Sequence, residues 1–198
     1  MADPLNGFPT TSYGNKDFRF VRWNPATQQY ESGLTSPTVE GVTREILRSG
    51  AATAPGGTPQ TKMRELFSTP SLWAGKPVTF TDDPETFLRL QLGRAPTQAE
   101  IDALKAEALV GGLTAQLPYK DGTLGNLIYI AKDRYAGQPD GVYVQGLVGI
   151  VLHELRHTIV PNHGHDSPYD PKTKKIDPGC GREHVRRRRP EHRVVVVL

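Results

Sequence analysis

Cysteine is nearly missing from this chain: Cys180 is the one cysteine in 198 residues. That excludes a disulfide within the chain and a cysteine-rich metal knuckle, both of which need several thiols. No run of 18 apolar residues occurs, so no membrane-spanning helix is expected. The opening Met1-Ala2-Asp3-Pro4-Leu5-Asn6-Gly7 lacks a basic stretch followed by an apolar one. No Sec signal is therefore expected, which leaves a cytoplasmic protein or one exported by a leaderless route. Methionine is scarce too, Met1 and Met63 being the two.

The formal net charge of +3 is not spread evenly. Arg182, Arg186, Arg187, Arg188, Arg189 and Arg193, against Glu183 and Glu191, give residues 182–198 a charge of +4 and leave −1 for residues 1–181. The body is thus not basic. An Arg run can meet nucleic acid, but a solvated tail is the simpler reading, and no nucleic-acid partner is expected.

What is abundant is glycine and proline, 20 and 17 residues. Twelve of these 37 residues fall in the first 58, which together with their serines and threonines read as a Pro/Gly/Thr-rich N-terminal extension ahead of a domain over 59–198. Within that extension, Phe18, Phe20, Trp23 and Tyr30 around Asn24-Pro25 predict a hairpin, and Glu40 to Arg48 a short helix. Ala51 to Pro59 reads as a linker. Gln60 to Phe67 and Pro84 to Leu92 read as helices. Thr97-Gln98-Ala99-Glu100 is a capping box opening a helix to about Val110, which Gly111-Gly112 stops. Asn126 to Ala131 is the strongest strand signal. Val144 to Ile159 is the strongest helix, apolar around most of its circumference and therefore expected at the centre of the domain. Gly146 and Gly149 weaken it and suggest close packing.

That helix ends in His153-Glu154-Leu155-Arg156-His157, an H-E-x-x-H pattern. Four residues advance a helix by one turn plus about 40°, so both imidazoles point the same way and can grip one metal ion. Glu154 then stands beside them, placed to take a proton from metal-bound water. With thiolates excluded, the ligand set is His and carboxylate, as in a catalytic zinc site. Such a site needs a third ligand, for which His163, Asp166 and Glu183 compete, with His165 a further donor in the same loop. His163 has the metzincin spacing, but the glycine of that motif falls on Val160 and no methionine follows the site.

The pattern H-E-x-x-H, eight residues, Asp166, two residues and Tyr169 resembles the aspzincins, the deuterolysin and peptidyl-Lys metalloendopeptidase group. The resemblance implies zinc held by His153, His157 and Asp166. It implies Glu154 as general base and Tyr169 as the group that stabilises the oxyanion. It also implies an α+β, mostly helical zincin-like domain, with a small sheet beside the active-site helix. The function expected is a zinc-dependent metalloendopeptidase acting on a protein or peptide substrate, laid antiparallel to an edge strand such as Asn126 to Ala131. The alternatives are a secreted effector or toxin protease with one target, and a non-catalytic metal-bound interaction module.

Overall fold

A strand with apolar side chains on both faces belongs inside a sheet covered on both sides, because only there are both faces buried. In β2 (Lys16–Asn24), Phe18 and Phe20 are buried on one face and Val21 on the other. The structure is a computed structural model, described here for residues 4–51, 75–107, 111–119, 123–158, 169–170 and 175–176. The chain divides into two units, Met1–Pro161 and Asn162–Leu198.

The first unit is built on a six-stranded mixed sheet. β2 pairs antiparallel with β1 (Thr11–Tyr13) and forms a hairpin with β3 (Gln29–Ser32). The hairpin expected at Asn24-Pro25 is there: Asn24 Oδ1 accepts from the Ala26 amide at 2.9 Å, and Trp23 meets Tyr30 edge-on at 5.1 Å. On its other side β2 runs parallel to β4 (Val78–Thr81), which runs parallel to β6 (Leu124–Ile130). β5 (Gly112–Pro118) closes that side of the sheet, antiparallel to β6.

Helices lie on both faces. On one, Val39 and Leu47 of α1 (Pro37–Ala51) and Leu147, Ile150, Val151 and Leu155 of α4 (Asp140–His157) pack with Phe18, Phe20, Phe80, Ile128 and Ile130. On the other, α2 (Pro84–Leu92) and α3 (Gln98–Glu107) bring Phe87, Leu90 and Leu104 against Val21, Leu127 and Tyr129. The alternation of Leu127 and Tyr129 with Ile128 and Ile130 between the two cores is the period of two expected of a strand covered on both sides.

Local signals explain the helix ends. Asp83 caps α2 by accepting from the Thr86 amide at 2.9 Å, and Gly93, at φ 67°, closes it in the left-handed region. The capping box of α3 forms as expected: the Thr97 amide donates to Glu100 Oε2 at 2.7 Å, and the Glu100 amide donates to Thr97 Oγ1 at 3.3 Å. α1 begins at Pro37, earlier than Glu40, because the buried Asp82 carboxylate accepts from the Thr35 and Ser36 amides just ahead of it.

The α+β class holds, but four expectations about the arrangement change. Residues 1–58 are not an extension outside the fold. Their described part supplies β1, β2, β3 and α1, since the glycines and prolines punctuate short elements whose apolar residues reach both cores. The unit that includes the H-E-x-x-H helix therefore runs from residue 1 to 161 and not from 59 to 198. Asn126 to Ala131 falls on an internal strand; among the described strands β5 lies at the edge beside it, where the Gly111-Gly112 pair had suggested only a helix stop. Finally, α4 is buried on one side, with Val142 and Val144 48% and 37% exposed, because it lies on the sheet as an outer layer. Of its two glycines, Gly146 is closely packed: a Cβ there would come within 2.4 Å of the Tyr135 ring, while one at Gly149 would meet nothing within 4 Å.

The expected linker and the expected helix at Gln60 to Phe67 lie outside the described residues, apart from Ala51, which ends α1. No helix among the described residues is long and apolar enough to cross a membrane. In the second unit, β7 (Tyr169–Asp170) and β8 (Lys175–Ile176) form a two-stranded antiparallel ladder.

Candidate metal centre

His153, Glu154 and His157 lie in the last turns of α4, and their donor atoms fall within 4.8 Å of one another. The two His side chains point the same way, as their four-residue spacing requires. Nε2 of His153 and Nε2 of His157 are 3.1 Å apart, with the rings nearly perpendicular at 82°. Two nitrogens bound tetrahedrally to one zinc at ordinary bond lengths stand about 3.3 Å apart. The pair thus has the bite of a chelate, and small ring rotations separate a shared hydrogen bond from a shared ion.

Their surroundings differ from that of the carboxylate between them. His153 is exposed and His157 half-buried, whereas Glu154 is 3% exposed. The helix turns the two imidazoles outward and the Glu154 carboxylate towards β5. There Thr114 Oγ1 lies 2.8 Å from Glu154 Oε2 and 3.1 Å from the Glu154 carbonyl. Burial pushes the Glu154 carboxyl up to about 7, with the Thr114 hydrogen bond pulling the other way. The site sits at the C-terminal end of an 18-residue helix. That end carries the partial negative charge of the helix dipole, which favours a bound cation.

β5 approaches α4 at a glycine. A Cβ on Gly112 would lie 2.8 Å from Glu154 Cγ, 3.0 Å from Glu154 Oε1 and 2.7 Å from the Tyr129 carbonyl oxygen. Thr114 was not singled out in the sequence, and Gly112 was read there only as part of a helix stop. The available signal was the alternation of Leu113, Ala115 and Leu117 with Thr114 and Gln116 directly after the glycines, which is a strand pattern.

The structure brings together His153, Glu154 and His157. Asp166, His163, His165 and Glu183 lie outside the described residues. Tyr169 belongs to β7 in the second unit. Arg156, inside the motif, is exposed. Comparisons with protein-family models, with curated proteins and with solved structures found nothing that matches this chain.

Among the described residues, the donors fit the histidine part of a zinc site: two convergent imidazoles, no thiolate, and a buried carboxylate held beside them.

Proposed function

We propose that this chain is a zinc-dependent metalloendopeptidase of the aspzincin-like kind. The observation that carries the reading is the convergent His153 and His157 pair, with the buried Glu154 carboxylate next to it on the same helix turn. A coincidental H-E-x-x-H on a surface helix would have no reason to bury its glutamate against a strand, where desolvating a carboxylate is costly even with one hydrogen bond.

His153 and His157 would hold the ion, and the resemblance adds Asp166 as the third ligand. Bound there, zinc would supply an acidified water and a polarised scissile carbonyl. Glu154 takes the proton of the attacking water and returns it to the leaving amine. Its burial suits that part, because a carboxylate with a raised proton affinity is a stronger base than an exposed one. Tyr169, again by the resemblance, would donate to the oxyanion.

The substrate strand is assigned to β5. One side of β5 pairs with β6; no described strand pairs with its other side, and that edge runs past the Glu154 carboxylate. An extended peptide adding to it would pass the general base.

Metal analysis with a peptide-cleavage assay tests the reading. The wild type should bind one zinc per chain and cleave a mixed peptide library. His153→Ala and His157→Ala should each lose both zinc and cleavage. Stoichiometric zinc with no cleavage of any peptide would reduce the centre to a metal-bound interaction module.

A further inference from the structure

We propose that Thr114 and Gly112, on the edge strand β5, are positioning residues for the Glu154 carboxylate. The inference rests on the peptidase reading above and assigns to that site two residues outside its motif.

Residues 112 and 114 are two apart on one strand and so face the same side, towards α4. Leu113, between them, faces away and packs on the other core. Thr114 makes the bond and Gly112 makes the room. The Thr114 hydroxyl has one proton and two acceptors within reach, Glu154 Oε2 at 2.8 Å and the Glu154 carbonyl at 3.1 Å. That carbonyl is open to it because the Thr158 amide turns back to the Leu155 carbonyl at 3.1 Å, as happens in the last turn of a helix. Whichever acceptor the single proton serves, the Thr114 hydroxyl stands within hydrogen-bond distance of both the backbone and the carboxylate of Glu154 and so references that residue to β5.

Gly112 sets how near the strand comes. A methyl there would press on Glu154 Cγ and, at 2.7 Å, on the Tyr129 carbonyl, which belongs to the backbone of β6 and cannot swing aside. Any side chain at 112 must displace the carboxylate or spread β5 from β6. Because no described strand pairs with the far side of β5, one strand fixes both the general base and the register of a peptide added to that side. The base and the scissile bond then share a single frame, which is what a proton transfer over hydrogen-bond distance requires.

The test uses the zinc-loaded full chain and three variants. Thr114→Val keeps the shape and removes the hydroxyl, Thr114→Ser keeps the hydroxyl, and Gly112→Ala adds the methyl. Thr114→Val should lower kcat at least about tenfold, with KM and zinc content near the wild-type values. Thr114→Ser should recover most of the loss, and Gly112→Ala should lower kcat as well. In parallel, the carboxyl carbon of Glu154 is followed by NMR in glutamate-labelled protein, identified by its disappearance in Glu154→Gln. It should shift in Thr114→Val and return in Thr114→Ser. A wild-type kcat in Thr114→Val, a serine variant as slow as the valine one, or an unshifted Glu154 signal overturns the proposal while leaving the peptidase reading intact. A zinc-loaded wild type that cleaves nothing overturns the peptidase reading, and the NMR comparison then still decides whether Thr114 sets the carboxylate.

Discussion

Replacing Glu154 with glutamine in the metal-free protein should change how stability depends on pH. Burial raises the Glu154 carboxyl from 4.5 to about 7. Below the unfolded value both states hold the proton, and the group contributes no pH dependence. As the pH rises between the two values, the unfolded chain gives up its proton and the folded chain keeps it, so stability falls with pH. Above the folded value the loss is complete, about 3 kcal/mol at 1.36 kcal/mol per unit, most of it between pH 5 and 8. Glu154→Gln removes this slope, because the amide does not titrate. A fixed cost of burying the amide cancels when the two proteins are compared at both pH values. Urea unfolding after chelation, at pH 5 and pH 8, reads the difference directly: the variant should gain about 2–3 kcal/mol on the wild type between the two. Parallel pH profiles would refute the claim that the folded site desolvates this carboxylate.

Other perturbations separate the physical arguments used above. Gly146→Ala drives a methyl into the Tyr135 ring and should destabilise by about 1–3 kcal/mol. Gly149→Ala, three residues on and facing open space, should stabilise by up to about 1 kcal/mol; thermal unfolding of the two variants tests whether α4 packs as described. Asp82→Ala leaves the Thr35 and Ser36 amides and the Thr35 hydroxyl without their acceptor and should cost about 3 kcal/mol or more in chemical denaturation. Thr97→Ala removes one half of the α3 capping box and should cost about 1 kcal/mol, with faster amide exchange in the first turn of that helix as the local readout.

What could be read from the sequence was what is local. The turn at Asn24-Pro25, the helix from Pro84, the Thr97 cap, the β6 strand and the H-E-x-x-H spacing each depend on a few neighbouring residues, and each took the expected form. The place of β2 inside the sheet was not legible, because one of its buried faces is covered by α1 and by α4, which begins more than a hundred residues after Asn24, and the other by α2, which begins 60 residues after it. β5 was hidden by its own site. Gly112 is small because Glu154 and the β6 backbone come close, and a glycine pair after a helix reads as a stop. The third ligand is a different case. The residues after His157 offer several donors, no periodicity orders that stretch of sequence, and the choice of Asp166 rests on the family resemblance.

The proposed role of Glu154 as general base of a zinc centre is tested by comparing wild type and Glu154→Gln, both zinc-loaded, on one peptide library read by mass spectrometry. Equal zinc is expected in both proteins, with cleavage by the wild type and none by the variant. Equal cleavage by the two, or zinc lost with the Glu154 carboxylate, would contradict it.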